Sequence, residues 1–156
     1  MSTSSSNSPS KDVVVMLGAT DGEHLAVRAR RRSHADCADY WDGNWLDCAI
    51  EVCAGGFRGS MNADLRAEEF VEFRDALGAL HRRLAGTATF QTMERWLTIK
   101  VVGDGRGHFE ADCELRDAPG TGNRLHCTLG FDQTELPLML RGLDAIVDAF
   151  PVVGRP

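Results

Sequence analysis

Residues 45–65, WLDCAIEVCAGGFRGSMNADL, have the pattern of a β-hairpin. Successive side chains of a strand point to opposite faces, so apolar residues at alternate positions are predicted to share one buried face. These residues are Leu46, Cys48, Ile50 and Val52 before the turn and Phe57, Met61, Ala63 and Leu65 after it. Gly55 and Gly56 separate the two runs and supply the positive φ that a tight turn requires. The stretch therefore predicts two antiparallel strands.

The same alternation occurs elsewhere in the chain. It is found at HLAVRAR (24–30), ATF (88–90), RWLTIKVV (95–102), HFEADCELRD (108–117) and RLHCTLGF (124–131). Glycine-rich turns at residues 103–107 and 118–123 separate the last three stretches. The predicted inward residues are Leu25, Val27, Ala29, Phe109, Ala111, Cys113, Leu115, Leu125, Cys127, Leu129 and Phe131. Most of the chain is therefore predicted to form hairpins.

Two amphipathic helices interrupt the strands. After residue 66, apolar residues recur every three or four positions, at Phe70, Phe73, Leu77, Leu80 and Leu84. Gly86 is expected to stop this helix. The second helix is predicted to begin in DQTELP, residues 132–137, where Asp132 or Thr134 can cap it. Its apolar stripe comprises Leu136, Leu140, Leu143, Val147 and Phe150.

The order of these elements indicates an α+β fold. Hairpins without β-α-β crossovers predict a strongly bent, mainly antiparallel sheet of about seven to eight strands, with both helices packed on its apolar face. Residues 1–10, MSTSSSNSPS, have too little apolar surface to order and are predicted to be a disordered tail. Residues 11–156 are predicted to form a single domain.

Composition and charge disfavour several classes of function. There are 17 basic and 23 acidic residues, a net charge of −6, which disfavours a nucleic-acid binder because phosphates require a basic surface. Apolar runs such as Val13 to Leu17 are far shorter than a membrane helix. The five cysteines include no C-x-x-C pair, which argues against a disulfide framework. We expect a cytoplasmic protein with no nucleic-acid or membrane partner.

No motif of a known catalytic or cofactor site is present. His34, Asp36, Cys37, Asp39 and Asp42 share one loop, but their spacing matches no established zinc or calcium site. The glycine-rich stretch at residues 103–107 lies between strands and lacks the helix N-terminus that would hold a phosphate. We therefore expect no catalytic residue, no metal and no cofactor.

Outward-facing carboxylates are the most informative polar residues. Asp47 and Glu51 lie on one predicted strand, and Glu110, Asp112 and Glu114 lie on another. If both strands share a surface, these residues form an acidic stripe, which is either a solvated face or a surface that steers a cationic partner. Trp45 has the same outward phase and is a candidate interface anchor, whereas Trp41 is expected to be structural.

Several motifs resemble those of WapI-type immunity proteins. They are YWDGNWL (40–46), AGGFRG (54–59), FRDALGALHRRLAG (73–86), GDGRG (103–107), PGTGNRL (119–125) and DQTELPLMLRGLDAIVDAFP (132–151). The resemblance spans about residues 12–152 and implies a small, non-enzymatic α+β protein that binds and neutralises the toxin domain of a polymorphic toxin, often a nuclease. It assigns no catalytic residue.

Two alternatives remain open at this stage. A small-ligand binding module would use the concave side of the bent sheet. A protein-binding or self-associating module would have no toxin partner. The sequence does not determine the oligomeric state.

Overall fold

The computed structural model of the protein describes residues 12–19 and 22–156, so the predicted tail at residues 1–10 lies outside the described residues. The strands are β1 (Val13–Gly18), β2 (His24–Arg32), β3 (Trp45–Ala54), β4 (Phe57–Arg66), β5 (Ala85–Gln91), β6 (Leu97–Asp104), β7 (His108–Arg116) and β8 (Arg124–Asp132). The helices are α1 (Tyr40–Gly43), α2 (Ala67–Arg83) and α3 (Leu136–Ala149). In the described part of the chain, no helix has the length and apolar character needed to cross a membrane.

The strands form two antiparallel sheets, with the strand orders β1-β2-β3-β4 and β5-β6-β7-β8. This confirms the predicted α+β class, the antiparallel pairing and the strand number. The eight strands are divided between two sheets because α2 separates β4 from β5 in the chain and these two strands do not pair. Each sheet is a meander of sequential strands that is followed by a helix.

Both long helices cover apolar sheet faces. α2 packs mainly on β5, α3 packs on β1, and the two helices contact each other. One hydrophobic core combines the inner faces of both sheets with the buried sides of the helices. α3 lies close to β1 at Gly142, where an added Cβ would be 3.0 Å from the Cα of Val15. α2 follows the first sheet and packs on the first strand of the second sheet, whereas α3 follows the second sheet and packs on the first strand of the first sheet.

The predicted β3–β4 hairpin is present, with Trp45 opposite Arg66 and Ala54 opposite Phe57. The predicted inward residues of β3 are buried, as are Ala63 and Leu65 on β4. The prediction that Phe57 faces the core is wrong, because its side chain is 69% exposed. Residues 57–60 are all exposed. The tip of the hairpin therefore projects beyond the core, and alternation alone does not show where a core ends.

α2 ends earlier than predicted. Leu84, at the C-cap, adopts the left-handed conformation (φ 62°), and its N–H donates to the carbonyl of Leu80 over 2.7 Å. The helix therefore stops before Gly86, which lies within β5. The predicted apolar stripe is buried from Phe70 to Leu80. Glycine is the common residue at a left-handed C-cap, so a leucine in this position gave no signal in the sequence.

The N-terminus of α3 also differs from the prediction that Asp132 or Thr134 caps the helix. Glu135 is the N-cap, without a side-chain hydrogen bond. The carboxylate of Asp132 instead accepts from the N–H of Thr134 over 2.9 Å, within the preceding turn. Along the helix, Leu136, Met139, Leu143 and Ile146 are buried, and Leu140, Val147 and Phe150 pack against the core from the side. The helical stripe is thus wider than predicted.

Candidate protein-binding surfaces

The five candidate carboxylates do not form one stripe. Asp47 and Glu51 are on β3 in the first sheet, whereas Glu110, Asp112 and Glu114 are on β7 in the second sheet. Their inward neighbours on both strands are buried in the shared core. The carboxylates therefore lie on the outer faces of two different sheets, and the condition for a common acidic stripe is not met.

The outer face of the second sheet carries both signs of charge. Asp112 lies 2.7 Å from the Nε2 of His126, and it is opposite Lys100 on the neighbouring strand. Glu114 pairs with Arg116 over 3.3 Å. Glu110 takes part in no ion pair among the described residues. These interactions partly neutralise the acidic row on β7.

The outer face of the first sheet is also mixed. Asp47 pairs with Arg31 over 2.9 Å, and the facing residue on β4 is Asp64. Glu51 is exposed and lies opposite Ser60. Two arginines of the neighbouring strand β2 have other partners: Arg28 lies 3.9 Å from Asp12 and Arg30 donates to Asn62 over 3.3 Å.

The aromatic residues of YWDGNW surround a buried arginine. The guanidinium of Arg66 lies 4.8 Å from the ring centroid of Trp45, 5.3 Å from that of Tyr40 and 5.7 Å from that of Trp41. Trp45 is half-buried, whereas Trp41 is 56% exposed. Both tryptophans therefore have a structural contact with Arg66, and Trp41 is the one that presents more surface to a partner.

Arg66 also organises the backbone of α1. It donates from Nη1 to the carbonyl of Trp41 over 2.8 Å and from Nη2 to that of Tyr40 over 2.7 Å, and its Nε pairs with Glu68. A buried guanidinium needs such partners because leaving its charge unpaired is costly. The sequence pattern did not indicate this role, because Arg66 stands where the alternation of β4 changes to the period of α2.

Asn44 holds the C-terminal residues against the same loop. Its Nδ2 donates to the carbonyls of Tyr40 and Val153, each over 2.9 Å, and its Oδ1 accepts from the N–H of Val153 over 2.9 Å. Arg32 donates to the carbonyls of Gly43 and Pro151. The loop and the end of the chain therefore form one packed unit.

Glu69 connects the start of α2 to the β5–β6 turn. One carboxylate oxygen accepts from the N–H of Arg66 over 2.7 Å, and the other accepts from the N–H of Met93 over 2.6 Å. Burial raises the pKa of Glu69 to about 7, although these hydrogen bonds oppose the rise. The side chain of Met93 is 56% exposed. Glu69 thus fixes the position of an exposed apolar residue.

Residues 33–44, residues 92–96 and Asp64 together form a surface that we call the loop end. Its exposed carboxylates are Asp36, Asp39, Asp42, Asp64 and Glu94, and none of them takes part in an ion pair among the described residues. Burial, then Asp47 and Glu94, raise the pKa of Asp64, and His34 opposes this effect. Asp47 therefore adjoins the loop end, whereas Glu51 lies farther along β3.

Three residues of the loop end resemble a metal site in composition. The ligand atoms of Cys37, Asp39 and Asp42 lie within 4.8 Å of one another, whereas His34 and Asp36 are not part of this group. Asp39 is already engaged as the N-cap of α1, where it accepts from the N–H of Asp42 over 3.1 Å. Desolvation and then the neighbouring acids raise the pKa of the Cys37 thiol, which disfavours the thiolate that a metal needs. The cap accounts for this arrangement.

Among the described residues, the void between the inner sheet faces and the helices is too small for a small ligand. A void of about 10 Å³ is enclosed by Val15, Leu17, Val27, Phe70, Phe73, Phe90, Ile99 and Leu143. This is about the space that one water requires. A ligand on the concave side, one of the alternatives from the sequence, is not supported because both helices fill it.

Comparison with known proteins identifies the family. A search of curated proteins found no match. A family model described as the Immunity protein WapI-like family matches residues 16–151, from β1 to the end of α3 and beyond it. This match includes the aromatic cluster, both sheets and both long helices. The chain therefore belongs to the WapI-like immunity protein family.

Proposed function

We propose that this protein is a non-enzymatic immunity protein that binds and neutralises the toxin domain of a cognate bacterial polymorphic toxin. The observation that carries the proposal is the family match over residues 16–151. The net charge of −6 supports a basic partner. A toxin domain that acts on RNA or DNA is basic where its substrate binds, so an acidic protein can occlude that site. Such a toxin acts in the cytoplasm, where we place its inhibitor.

The candidate contact residues are Trp45, Asp47, Glu51, Glu110, Asp112 and Glu114. They lie on two sheets, so a single compact partner is not expected to contact all six at once. Ion pairs with Arg31 and Arg116 weaken the potential around Asp47 and Glu114, and Asp112 lies opposite Lys100. Of the β7 carboxylates, Glu110 would therefore contribute most to steering if the partner docks on the second sheet.

Protection of the producing cell sets a requirement on affinity. An inhibitor present at cellular concentrations needs a Kd of about 1 nM or lower, which corresponds to about −12 kcal/mol. Electrostatic steering contributes to such affinity through the association rate, which it raises by roughly 10- to 1000-fold. We therefore expect fast, salt-sensitive association and slow dissociation.

Capture of the partner tests the proposal. The tagged protein is incubated with lysate of its own host, washed at moderate salt, and the retained proteins are identified by mass spectrometry. The C-terminal domain of a retained large protein is then expressed alone, and its Kd and its toxicity are measured. We expect a toxic domain that binds at about nanomolar Kd. A retained domain that is harmless to cells would contradict the immunity function.

A further inference from the structure

We propose that the loop end is the surface that contacts the toxin domain, with Trp41 and Met93 as apolar anchors and its carboxylates facing a basic partner surface. This inference rests on the proposed function and assigns it to one place on the molecule. It shares no residue with the sheet-face candidates, of which only Trp45 and Asp47 adjoin it.

The apolar anchors are the first reason. Trp41 and Met93 are each 56% exposed. Large exposed apolar side chains are costly to leave in water, and both residue types are enriched in protein interfaces. The outer face of the second sheet offers Val102 as its large exposed apolar residue, which is smaller and less exposed. The loop end therefore has larger exposed apolar anchors than the outer face of the second sheet, and it has two of them, whereas Phe57 stands alone at the tip of the β3–β4 hairpin.

The second reason is that buried side chains hold these anchors in position. The carbonyl of Trp41 accepts from Arg66, the N–H of Arg66 donates to Glu69, and Glu69 accepts from the N–H of Met93. Two buried residues thus connect two exposed ones that lie far apart in the chain. A preorganised surface loses less conformational entropy on binding, so it binds more tightly.

The charge of the loop end is the third reason, and it indicates the kind of partner that binds there. The exposed carboxylates of the loop end lack ion pairs among the described residues, whereas Asp112 and Glu114 on β7 have basic partners. The basic residues near these acids include Arg31, which pairs with Asp47, and Arg95 and His34. Arg32 and Arg66 donate to backbone carbonyls of the same loop. An apolar centre with an unpaired acidic rim fits the basic substrate-binding face of a toxin domain.

A matched pair of variants locates the contact surface. The loop-end variant carries Asp42→Lys, Asp64→Lys and Glu94→Lys. The sheet control carries Glu110→Lys, Asp112→Lys and Glu114→Lys, the same change of charge at exposed or half-exposed positions. Met93→Ser and Val102→Ser form a second pair, which tests the apolar anchor without any change of charge. Circular dichroism and urea unfolding confirm that each variant is folded.

The probe is the toxin domain recovered with the wild-type protein. We expect the loop-end variant to raise its Kd by at least about 10-fold, mainly through slower association, and the sheet control to change it by less than about 3-fold. Met93→Ser is expected to weaken binding more than Val102→Ser. The reverse order in both pairs, with tight wild-type binding, overturns the loop end as the contact surface and leaves the proposed function intact.

An octa-arginine peptide provides a probe that does not depend on a toxin. All three tryptophans lie in or beside the loop end, Trp41 and Trp96 within it and Trp45 on Arg66, so tryptophan fluorescence reports on this surface. We expect a salt-sensitive fluorescence change in the wild-type protein and the sheet control, and little change in the loop-end variant. If no toxin domain is captured, the proposed function fails. If the wild-type fluorescence is also insensitive to the peptide, the loop end is not a surface for cationic partners.

Discussion

The guanidinium of Arg66 lies 4.8 Å above the ring of Trp45, its partner across the last residue pair of the β3–β4 ladder. This contact joins the end of the first sheet to α1, because the same guanidinium donates to the carbonyls of Tyr40 and Trp41. A cation over an indole face is favourable, and more so when both are shielded from water. The aromatic motif near residue 40 thus encloses an internal charge.

Loss of the Arg66 side chain is expected to destabilise the protein strongly. Arg66→Ala leaves Glu68 without its ion-pair partner and removes one hydrogen-bond donor from each of the carbonyls of Tyr40 and Trp41. Removing one member of a buried pair typically costs about 3–5 kcal/mol. Urea unfolding followed by tryptophan fluorescence measures the effect. Arg30→Ala is the control, because among the described residues Arg30 makes a single long side-chain hydrogen bond, to Asn62, and its loss is expected to cost less than about 0.5 kcal/mol. Equal unfolding midpoints for the two variants would contradict this role.

Asn44 is expected to keep the C-terminal residues docked. Asn44→Ala removes both hydrogen bonds to Val153 and one to Tyr40, so the free energy of unfolding should fall by about 1–3 kcal/mol. The amide of Val153 should then exchange with deuterium much faster. Asn62→Ala changes an exposed asparagine and should leave that exchange rate unaltered. Unchanged protection of Val153 in Asn44→Ala would show that the segment is held by other contacts.

Glu69 is expected to make stability depend on pH. Its pKa is about 7 in the folded protein against an ordinary value of 4.5, because burial disfavours the charged form. The folded state therefore holds the proton more tightly, and the associated stability is complete below pH 4.5 and is lost as pH rises through about 7. The full difference is about 3 kcal/mol. Glu69→Gln, measured by urea unfolding across this range, should flatten the profile. An identical profile in the variant would remove Glu69 as its source.

Two glycines of the second sheet are expected to respond differently to substitution by alanine. A Cβ at Gly103 would overlap the carbonyl of Leu84 and lie 2.8 Å from the ring of Phe109. Such overpacking typically costs about 1–3 kcal/mol. A Cβ at Gly130 would meet no atom within 4 Å, so Gly130→Ala should change stability little. Thermal unfolding compares the two variants, and equal melting temperatures would show that Leu84 can move away.

The sequence was most informative where a period extends over many residues. The inward residues of β3 and β7, the antiparallel hairpins and both long helices were predicted from spacing, because burial imposes periods of 2 and 3.6. Phe57 was placed wrongly because the alternation continues past the end of the core. The division into two sheets could not be predicted, since it depends on strand pairing across α2 and not on local pattern.

The candidate surface was less predictable than the fold. Trp45 was preferred to Trp41 as the candidate interface anchor because its side chain was predicted to face outward. In the structure, the guanidinium of Arg66 lies over the ring of Trp45 and shields it. Met93 is connected to Trp41 through Glu69 and Arg66, and Asp64 lies near Glu94, although Trp41, Asp64 and the 92–96 turn come from separate segments. Contacts between distant segments leave no periodic signal in a single sequence. The sheet control tests whether the β7 carboxylates contact the partner.

Growth of cells that produce the captured toxin domain tests the central claim most directly. Coexpression of the wild-type protein is predicted to restore growth to that of cells without toxin, and the sheet control is predicted to do the same. The loop-end variant, produced at the same soluble level, should protect poorly. Cells that stop growing although the wild-type protein is abundant and bound to the toxin domain would contradict the claim that this protein neutralises its partner.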